Sequence, residues 1–131
     1  MDKSELVSYW EETSDKDYVT MLHLQDSKDY HWALFIGHIV IEKLLKACYV
    51  KHVDNKVPLT HDLLRLVKAA GLELNDDLAN DLDFITAFNI SARYPDYKQV
   101  FYNKCTKEFA EENINKIEGV RIWLKSMLSK R

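Results

Sequence analysis

The chain has 131 residues, of which 47% are hydrophobic and 30% are charged, and its formal net charge is -3. This length and composition suit one globular domain over residues 1–131 and exclude a disordered chain. The negative charge excludes a domain that coats nucleic acid with a basic surface, although a small local basic pocket is compatible with it. Only three glycines and two prolines interrupt long runs of helix-forming residues, so we expect an all-α protein.

The first helix is predicted from about Ser4 to Leu24. Asp2 and Glu5 have the spacing of a capping box, which satisfies free backbone groups at a helix start. One face carries the residues that we expect to be directed inward: Leu6, Trp10, Thr13, Asp17, Thr20 and Leu24. Asp17 is then either a partly exposed carboxylate at the edge of this face or a carboxylate directed at the line of polar residues on the second helix that is described next.

The second helix, predicted over Tyr30–His52, is apolar around most of its circumference, which indicates a central helix covered by the others. A single line of ionisable and aromatic residues interrupts this apolar surface at helical spacing. These residues, which we call the polar seam, are His31, Phe35, His38, Glu42, Lys46 and Tyr49. Because such a line is unusual on the most buried helix, we expect any functional site to lie near it.

A short third helix is predicted after a loop over Val53–Leu59. Thr60 has the chemistry of its N-cap, and Gly71 ends it because glycine readily adopts the backbone conformation that follows a helix. The residues expected on its inner face are Leu63, Leu66, Val67 and Ala70.

Asn75 is predicted to cap the fourth helix. Pro95 disfavours helical geometry in the residue before it, so this helix should end near Arg93 or Tyr94. Its inward-facing residues are expected to be Leu78, Leu82, Ile85 and Phe88, with Phe84 beside them.

The last helix is predicted from about Asn103 or Thr106 to the C-terminus. Its buried stripe should comprise Phe109, Ile114, Ile117, Val120, Leu124 and Met127. Four long helices and one short one, joined by short connections, predict an up-and-down four-helix bundle with one additional short helix.

The cysteines and the apolar runs predict a soluble, cytoplasmic protein. Cys48 and Cys105 lack metal-ligand spacing, and Cys48 falls on an apolar helix face, so a buried thiol is favoured over a disulfide. The first 16 residues do not have the pattern of a signal peptide, and no apolar run approaches the length of a membrane span.

Three stretches in order resemble the HEPN family, the higher eukaryote and prokaryote nucleotide-binding domains. They are Phe35–Ala47, which contains Ile-Glu-Lys and Leu-Lys-Ala, then the Thr-His-Asp-Leu of 60–63, then the Ala-Arg-Tyr-Pro-Asp-Tyr of 92–97. Their spacing is similar to that of small stand-alone prokaryotic members. The resemblance implies a helical bundle, often a homodimer, and frequent genetic pairing with a minimal nucleotidyltransferase in toxin–antitoxin modules.

The resemblance also allows the chain to be compared with the motif of ribonucleases in the family. Many HEPN proteins are metal-independent ribonucleases whose motif is an arginine followed, after four to six residues, by a histidine. Arg93 matches the arginine, but the histidine position is occupied by Lys98, Gln99 or Val100. No histidine occurs after His61. Because the motif is incomplete, we favour a protein that is not an enzyme and assign no catalytic residue.

Other ionisable residues do not indicate a metal or cofactor site. His38 and Glu42 lie one helical turn apart, and we favour a hydrogen-bonded pair at a helix interface over a metal site, because two ligands are too few. His31 is a further two turns away, about 10 Å by helix rise. His61 is interpreted as a residue of the third helix's cap region.

The segment after Arg93 carries four aromatic residues, namely Tyr94, Tyr97, Phe101 and Tyr102. Their rings either pack the joint between the fourth and last helices or form a pocket for stacking and phosphate binding, in which Arg93 and Lys98 supply charge. The sequence does not separate these two interpretations.

We expect Glu42 to form an ion pair with Arg93, because a buried carboxylate without a partner is costly. Lys46 is a weaker candidate, since its long side chain can reach water. Asp17 and His38 could complete the cluster. The alternative is that Arg93 caps its own helix end and extends into solvent.

The leading hypothesis is a non-catalytic or weakly active HEPN module that binds a nucleotide, a nucleic-acid end or a protein partner, such as a nucleotidyltransferase. The alternative is a ribonuclease toxin that uses tyrosine or lysine in place of histidine, and a third reading is a structural, antitoxin-like partner. The candidate ligand-binding residues are Asp17, His38, Glu42, Arg93, Tyr94, Tyr97 and Lys98.

A homodimer is also expected, because a small bundle cannot readily bury all its large rings. The residues that motivate this prediction are Trp10, Trp32, Phe35, Tyr49 and Trp123.

Overall fold

The computed structural model describes residues 1–130, apart from the side chains of Pro95 and Asp96. Within that range every regular element is a helix, so the all-α prediction is confirmed. The helices are α1 (Lys3–Asp26), α2 (Tyr30–His52), α3 (Leu63–Ala69), α4 (Asp76–Arg93), α5 (Pro95–Lys104) and α6 (Lys107–Ser129). The up-and-down four-helix arrangement stays a prediction, and Arg131, the end of the predicted last helix, lies outside the described residues.

The central position of α2 follows from its composition. It packs against all five other helices, and its apolar residues form the middle of the core. Gly37 allows the closest approach, because a Cβ atom there would overlap Ile117 Cδ1 of α6 and lie 3.1 Å from Met21 Sδ of α1. The sequence predicted both ends of this helix correctly.

Side-chain caps fix most of the helix starts. The predicted capping box of Asp2 and Glu5 is present, and the Asn75 side chain accepts a hydrogen bond from Leu78 N at 2.8 Å. The prediction for α3 was wrong by two residues, because Asp62 is the N-cap and Thr60 Oγ1 instead accepts from Asp62 N. The longer, charged side chain of Asp62 reaches two backbone N–H groups of the first turn.

Gly71 ends α3 as predicted, with a φ of 71° that favours glycine. The backbone N–H groups of Gly71 and Leu72 donate to the carbonyl groups of Lys68 and Val67. This is the Schellman arrangement, which satisfies carbonyl groups that the helix leaves free.

The segment 95–104 forms a helix, α5, which the sequence analysis did not predict. Pro95 both ends α4 and occupies the first turn of α5, where its missing N–H costs nothing. Phe101 is buried and its ring stacks on Phe88 of α4, with 5.7 Å between the centroids. One of the four aromatic residues therefore packs the joint between α4 and the helices after it.

The buried face of α1 differs from the predicted one, whereas that of α4 agrees with the prediction except at Phe84. On α1 the buried residues are Ser14 and Met21, whereas Thr20 is exposed. Ser14 is tolerated inside because its hydroxyl donates to the Val40 carbonyl at 2.8 Å. On α4 the predicted inward residues Leu82, Ile85 and Phe88 are buried, whereas Phe84, which was expected beside them, is 54% exposed.

The prediction of a buried Cys48 thiol is confirmed, and both Cys48 and Cys105 are free. Burial raises the pKa of Cys48 to about 12, so this thiol is protonated at neutral pH. No helix among residues 1–130 has the length and apolar character needed to cross a membrane.

The C-terminal end of α6 is held by a lysine from α2. Lys51 Nζ donates to the carbonyl oxygens of Met127 at 3.1 Å, Leu128 at 2.9 Å and Lys130. Its positive charge thus lies where the helix leaves carbonyl groups free. We expect Lys51→Met to lower the free energy of unfolding by about 1–2 kcal/mol in urea titrations.

The matched control for this prediction is Lys16→Met, at an exposed position of α1. It should change the free energy of unfolding by less than about 0.5 kcal/mol. Equal effects of the two substitutions would contradict the capping role of Lys51.

Candidate functional site

The centre of the polar seam is Glu42, a carboxylate that is only 6% exposed. Its Oε1 lies 2.7 Å from His61 Nδ1, and its Oε2 accepts a hydrogen bond from Lys46 Nζ at 3.0 Å. His61 comes from the segment before α3, and Lys46 lies one turn further along α2. Both carboxylate oxygens therefore have partners.

These partners also determine the ionisation of Glu42. Burial acts to raise the pKa of Glu42, but the hydrogen bonds from His61 and Lys46, with the charge of Lys46, outweigh burial and lower it below its usual range. Glu42 is therefore a buried carboxylate that carries a negative charge at neutral pH.

His38 is fully buried beside Glu42, but its hydrogen bond goes elsewhere. His38 Nε2 lies 2.9 Å from the His61 carbonyl oxygen, so this nitrogen carries the proton and donates. The contact between His38 and Glu42, at 3.9 Å, is longer than a hydrogen bond. His38 and Glu42 therefore do not form the predicted hydrogen bond with each other. Each of them instead contacts His61.

Burial also sets the charge of His38. Desolvation lowers the pKa of His38 and outweighs the hydrogen bond to the His61 carbonyl and the charge of Glu42, which raise it; the nearby charges of His61 and Arg93 lower it further. A neutral imidazole at this position is consistent with its role as a donor to a backbone carbonyl. Its Nδ1 is buried and has no hydrogen-bond partner within the described chain.

The predicted ion pair between Glu42 and Arg93 is not formed. Arg93 Nε donates instead to Asn89 Oδ1 at 2.6 Å, one turn earlier on α4, and its guanidinium carbon lies 5.1 Å from the centre of the Phe35 ring. The expectation failed because His61 and Lys46 already occupy both oxygens of Glu42. Arg93 nonetheless lies next to the seam, because it contacts Phe35 and its charge lowers the pKa of His38.

Asp17 lies outside this cluster. Its Oδ2 forms an ion pair with Lys43 Nζ at 2.6 Å, and its side chain is 27% exposed. Of the two interpretations left open by the sequence, the partly exposed carboxylate at the edge of the α1 face is the one found.

Three rings at the start of α2 and one ring of α5 form a partly exposed surface beside Arg93. We call this set the aromatic shelf; its members are His31, Trp32, Phe35 and Tyr102. Successive ring centroids are 5.0 Å apart for Tyr102 and His31, 4.9 Å for His31 and Trp32, and 5.9 Å for Trp32 and Phe35.

Two cations lie on this shelf. Arg93 covers Phe35, and Lys98 Nζ lies 5.1 Å from the centre of the Trp32 ring. Burial, with a smaller effect from the charge of Lys98, lowers the pKa of His31, which favours a neutral imidazole between the two ends of the shelf. Trp32 is 38% exposed, so part of the shelf is accessible to a ligand.

Tyr94 and Tyr97, the two tyrosines of the predicted site, do not belong to the aromatic shelf. Tyr94 is exposed at the junction of α4 and α5. Tyr97 is also exposed and lines a separate apolar groove of about 280 Å³. The other lining residues of this groove are Phe84, Ala87, Phe88, Ser91, Val100, Phe101, Lys104 and Phe109.

The sequence did not indicate His61 and Trp32 as residues of this region, and Lys46 was ranked below Arg93 as a partner of Glu42. The Thr-His-Asp-Leu motif could have pointed to His61, but a cap at the start of the third helix explained this motif more simply. In the part of the chain that the structure describes, no group of three or more His, Cys, Asp or Glu side chains is arranged to hold a metal ion.

Comparison with known proteins agrees with the resemblance found in the motifs. The family model described as "HEPN domain" matches residues 7–127, which is nearly the whole chain. No curated protein and no solved structure gives a significant match. The chain therefore belongs to the HEPN domain family.

Proposed function

We propose that this HEPN domain binds a nucleotide or a nucleic-acid end on the surface formed by the aromatic shelf, Arg93 and Lys98. The observation that carries the proposal is the placement of two cations over linked aromatic rings, of which Trp32 is 38% exposed. Nucleotides present the matching chemistry, since a base can stack on a ring and a phosphate can bind a cation.

Arg93 has hydrogen-bonding capacity left for a phosphate. Among the side chains that the structure describes, which do not include Asp96, the Arg93 side chain makes one hydrogen bond, from Nε to Asn89, and its two Nη groups make none. Asn89 is buried and limits the rotation of the guanidinium group. A planar, oriented guanidinium can hold two phosphate oxygens at once.

Direct titration tests the proposed binding. A fluorescein-labelled single-stranded RNA oligonucleotide and a fluorescent ATP analogue would be followed by anisotropy. We expect Arg93→Ala to weaken binding about 10- to 100-fold, because a hydrogen bond to a charged group contributes about 1.5–3 kcal/mol. Trp32→Ala should weaken it by a similar factor, as expected for loss of a stacking ring.

Arg65→Ala is the matched control, since Arg65 is an exposed arginine on α3, away from the shelf. It should leave the affinity within about twofold, apart from the general effect of charge. Equal losses for Arg93→Ala and Arg65→Ala would contradict a site at Arg93, and absence of binding would favour a purely structural partner.

A metal-independent ribonuclease is the second candidate function. The observation that favours it is an exposed imidazole, that of His61, held against an ionised carboxylate on the same seam. Incubation of purified protein with total RNA in the presence of a chelator, compared with Arg93→Ala, tests it. Cleavage that Arg93→Ala abolishes would support this candidate.

We also propose that the domain forms a homodimer or pairs with a minimal nucleotidyltransferase. Of the five large rings that motivated the dimer, only Trp32 is exposed, so those residues support the proposal weakly. Better support comes from Phe84, Tyr97 and Val100, which are 54%, 56% and 69% exposed along the apolar groove. Sedimentation of the wild type and of Val100→Glu at micromolar concentration tests the dimer, and a monomer mass for the wild type would contradict it.

A further inference from the structure

We infer that the apolar groove between α4 and α5 binds an acidic amphipathic helix of another protein. This inference rests on the proposed pairing with a protein partner, and it adds the chemistry that the partner must present. The groove is lined by residues of α4, α5 and α6 and has a volume of about 280 Å³. Its floor, the spacing of its lining residues and the charge at its edge support this occupant.

Three rings from three helices form the floor of the groove. Phe88 of α4 stacks on Phe101 of α5, with 5.7 Å between the centroids, and lies edge to face with Phe109 of α6 at 6.5 Å. Phe88 and Phe101 are buried in the core. Because these contacts already hold the three rings, the floor is formed before a partner binds, which lowers the ordering cost of binding.

The sides of the groove have the periodicity of two helices. The lining residues lie at positions 84, 87, 88 and 91 on α4 and at positions 97, 100, 101 and 104 on α5. Both sets have the spacing i, i+3, i+4 and i+7, which covers about two helical turns or roughly 10 Å. A further helix with apolar residues at the same spacing can pack into such a groove along its length.

The exposure of the side chains favours a helix over a small molecule. Phe84, Tyr97 and Val100 each keep more than half of their surface exposed, so they surround the groove instead of closing it. A small ligand on the floor would leave these side chains in water. A helix, with a diameter of about 10–12 Å including its side chains, covers them together with the floor.

Two lysines at the edge of the groove select the charge of the partner. Lys104 Nζ lies 5.5 Å from the centre of the Phe109 ring, and Lys116 Nζ lies 4.3 Å from the centre of the Phe84 ring. Among the side chains that the structure describes, no carboxylate is within ion-pair distance of either ammonium group. Glutamate or aspartate beside the apolar face of a partner helix therefore meets cations whose charge is not already paired.

Of the two arrangements proposed above, this charge favours a different protein over a second copy of the chain. In a symmetric dimer built on the groove, the groove faces the same groove of the second copy. Lys104 and Lys116 of both copies then approach one another, and like charges at an interface are unfavourable. An acidic helix removes this repulsion and covers the same rings.

Fluorescence anisotropy with three labelled synthetic peptides tests the inference. The acidic peptide, of about 16 residues, carries leucines at the spacing i, i+3, i+4 and i+7 on one face and glutamates on the others. The basic peptide has lysine in place of each glutamate, and the scrambled peptide has the acidic composition with leucines on all faces. We expect the wild type to bind the acidic peptide, and to bind each of the other two at least about 10-fold more weakly.

Charge reversal in the protein gives the sharpest comparison. The double variant Lys104→Glu, Lys116→Glu should weaken binding of the acidic peptide at least about 10-fold and should tighten binding of the basic peptide. A loss of fold would weaken binding of both peptides, so opposite changes identify the lysines as the groups that select charge. Lys16→Glu, at an exposed position of α1, is the matched control and should change either affinity by less than about twofold.

Val100→Glu tests the apolar contact. The position is exposed, so the variant should keep its fold, as circular dichroism can verify. The added carboxylate lies in the groove and repels the acidic peptide, whose affinity should fall at least about 10-fold.

The outcomes separate this inference from the proposed functions. Equal binding of the acidic and basic peptides, no binding of the acidic peptide, or undiminished binding by Val100→Glu would overturn the acidic helix as the occupant. A wild-type dimer that Val100→Glu dissociates, together with no binding of the acidic peptide, would assign the groove to a second copy. Trp32→Ala should bind the acidic peptide as the wild type does, so a failed nucleotide site at the shelf would leave the result for the groove unaffected.

Discussion

Replacing Gly37 by leucine is expected to lower the free energy of unfolding by about 3 kcal/mol or more, an overpacking effect at the upper end of its usual range. A Cβ atom at this position would already overlap Ile117 Cδ1 and lie 3.1 Å from Met21 Sδ. Because Ile117 and Met21 are themselves fully buried, neither can move away without disturbing the contacts of α1 or α6 with α2. Urea titration followed by circular dichroism measures the effect.

Gly119 provides the matched control, since it also lies inside a helix but has nothing within 4 Å of an added Cβ. Gly119→Leu should raise the free energy of unfolding by about 0.5–1 kcal/mol, because leucine is a much better helix former than glycine. If Gly37→Leu were as stable as Gly119→Leu, the close approach of the three helices at Gly37 would be refuted.

The helices were predictable from the sequence where a periodic apolar pattern was bounded by residues that start or end a helix. The nearly continuous apolar surface of α2 gave both of its ends, and Asn75 and Thr106 mark helix starts with side chains whose chemistry is local. The missed helix, α5, shows the limit of this reasoning. Pro95 was interpreted as a stop for α4, although proline equally suits the first turn of a new helix.

The contacts within the site were only partly predictable, because the partners of Glu42 depend on the positions of loop residues. The seam was correctly located on α2, and Glu42 did need partners. Glu42 pairs with His61 and not with Arg93 because the loop over residues 53–62 brings His61 close to it. The path of a loop cannot be predicted from the periodic patterns that reveal helices. Arg93 had a local acceptor, Asn89, at a spacing of four residues, and a local hydrogen bond requires no long-range positioning.

The second large effect concerns Glu42 itself. At neutral pH we expect Glu42→Gln to lower the free energy of unfolding by about 2–4 kcal/mol, since removing one member of a buried charged network leaves the others without a partner. His61 would lose the acceptor that holds its ring, and Lys46, whose side chain is 14% exposed, would lose its counter-charge. Glu12→Gln, at an exposed position of α1, is the control and should have little effect.

The dependence of this effect on pH follows from the ionisation of Glu42. Although burial opposes it, the hydrogen bonds from His61 and Lys46 hold the pKa of Glu42 in the folded state below 4.5, the ordinary value. The unfolded chain therefore binds this proton more readily than the folded protein does. The stabilisation is fully present above the unfolded pKa and is lost as the pH falls through the folded pKa. The difference in unfolding free energy between the wild type and Glu42→Gln should accordingly shrink as the pH falls from about 5 to below 4.5. A difference that stays constant or grows over that range would show that the carboxylate charge is not what holds His61 and Lys46 in place.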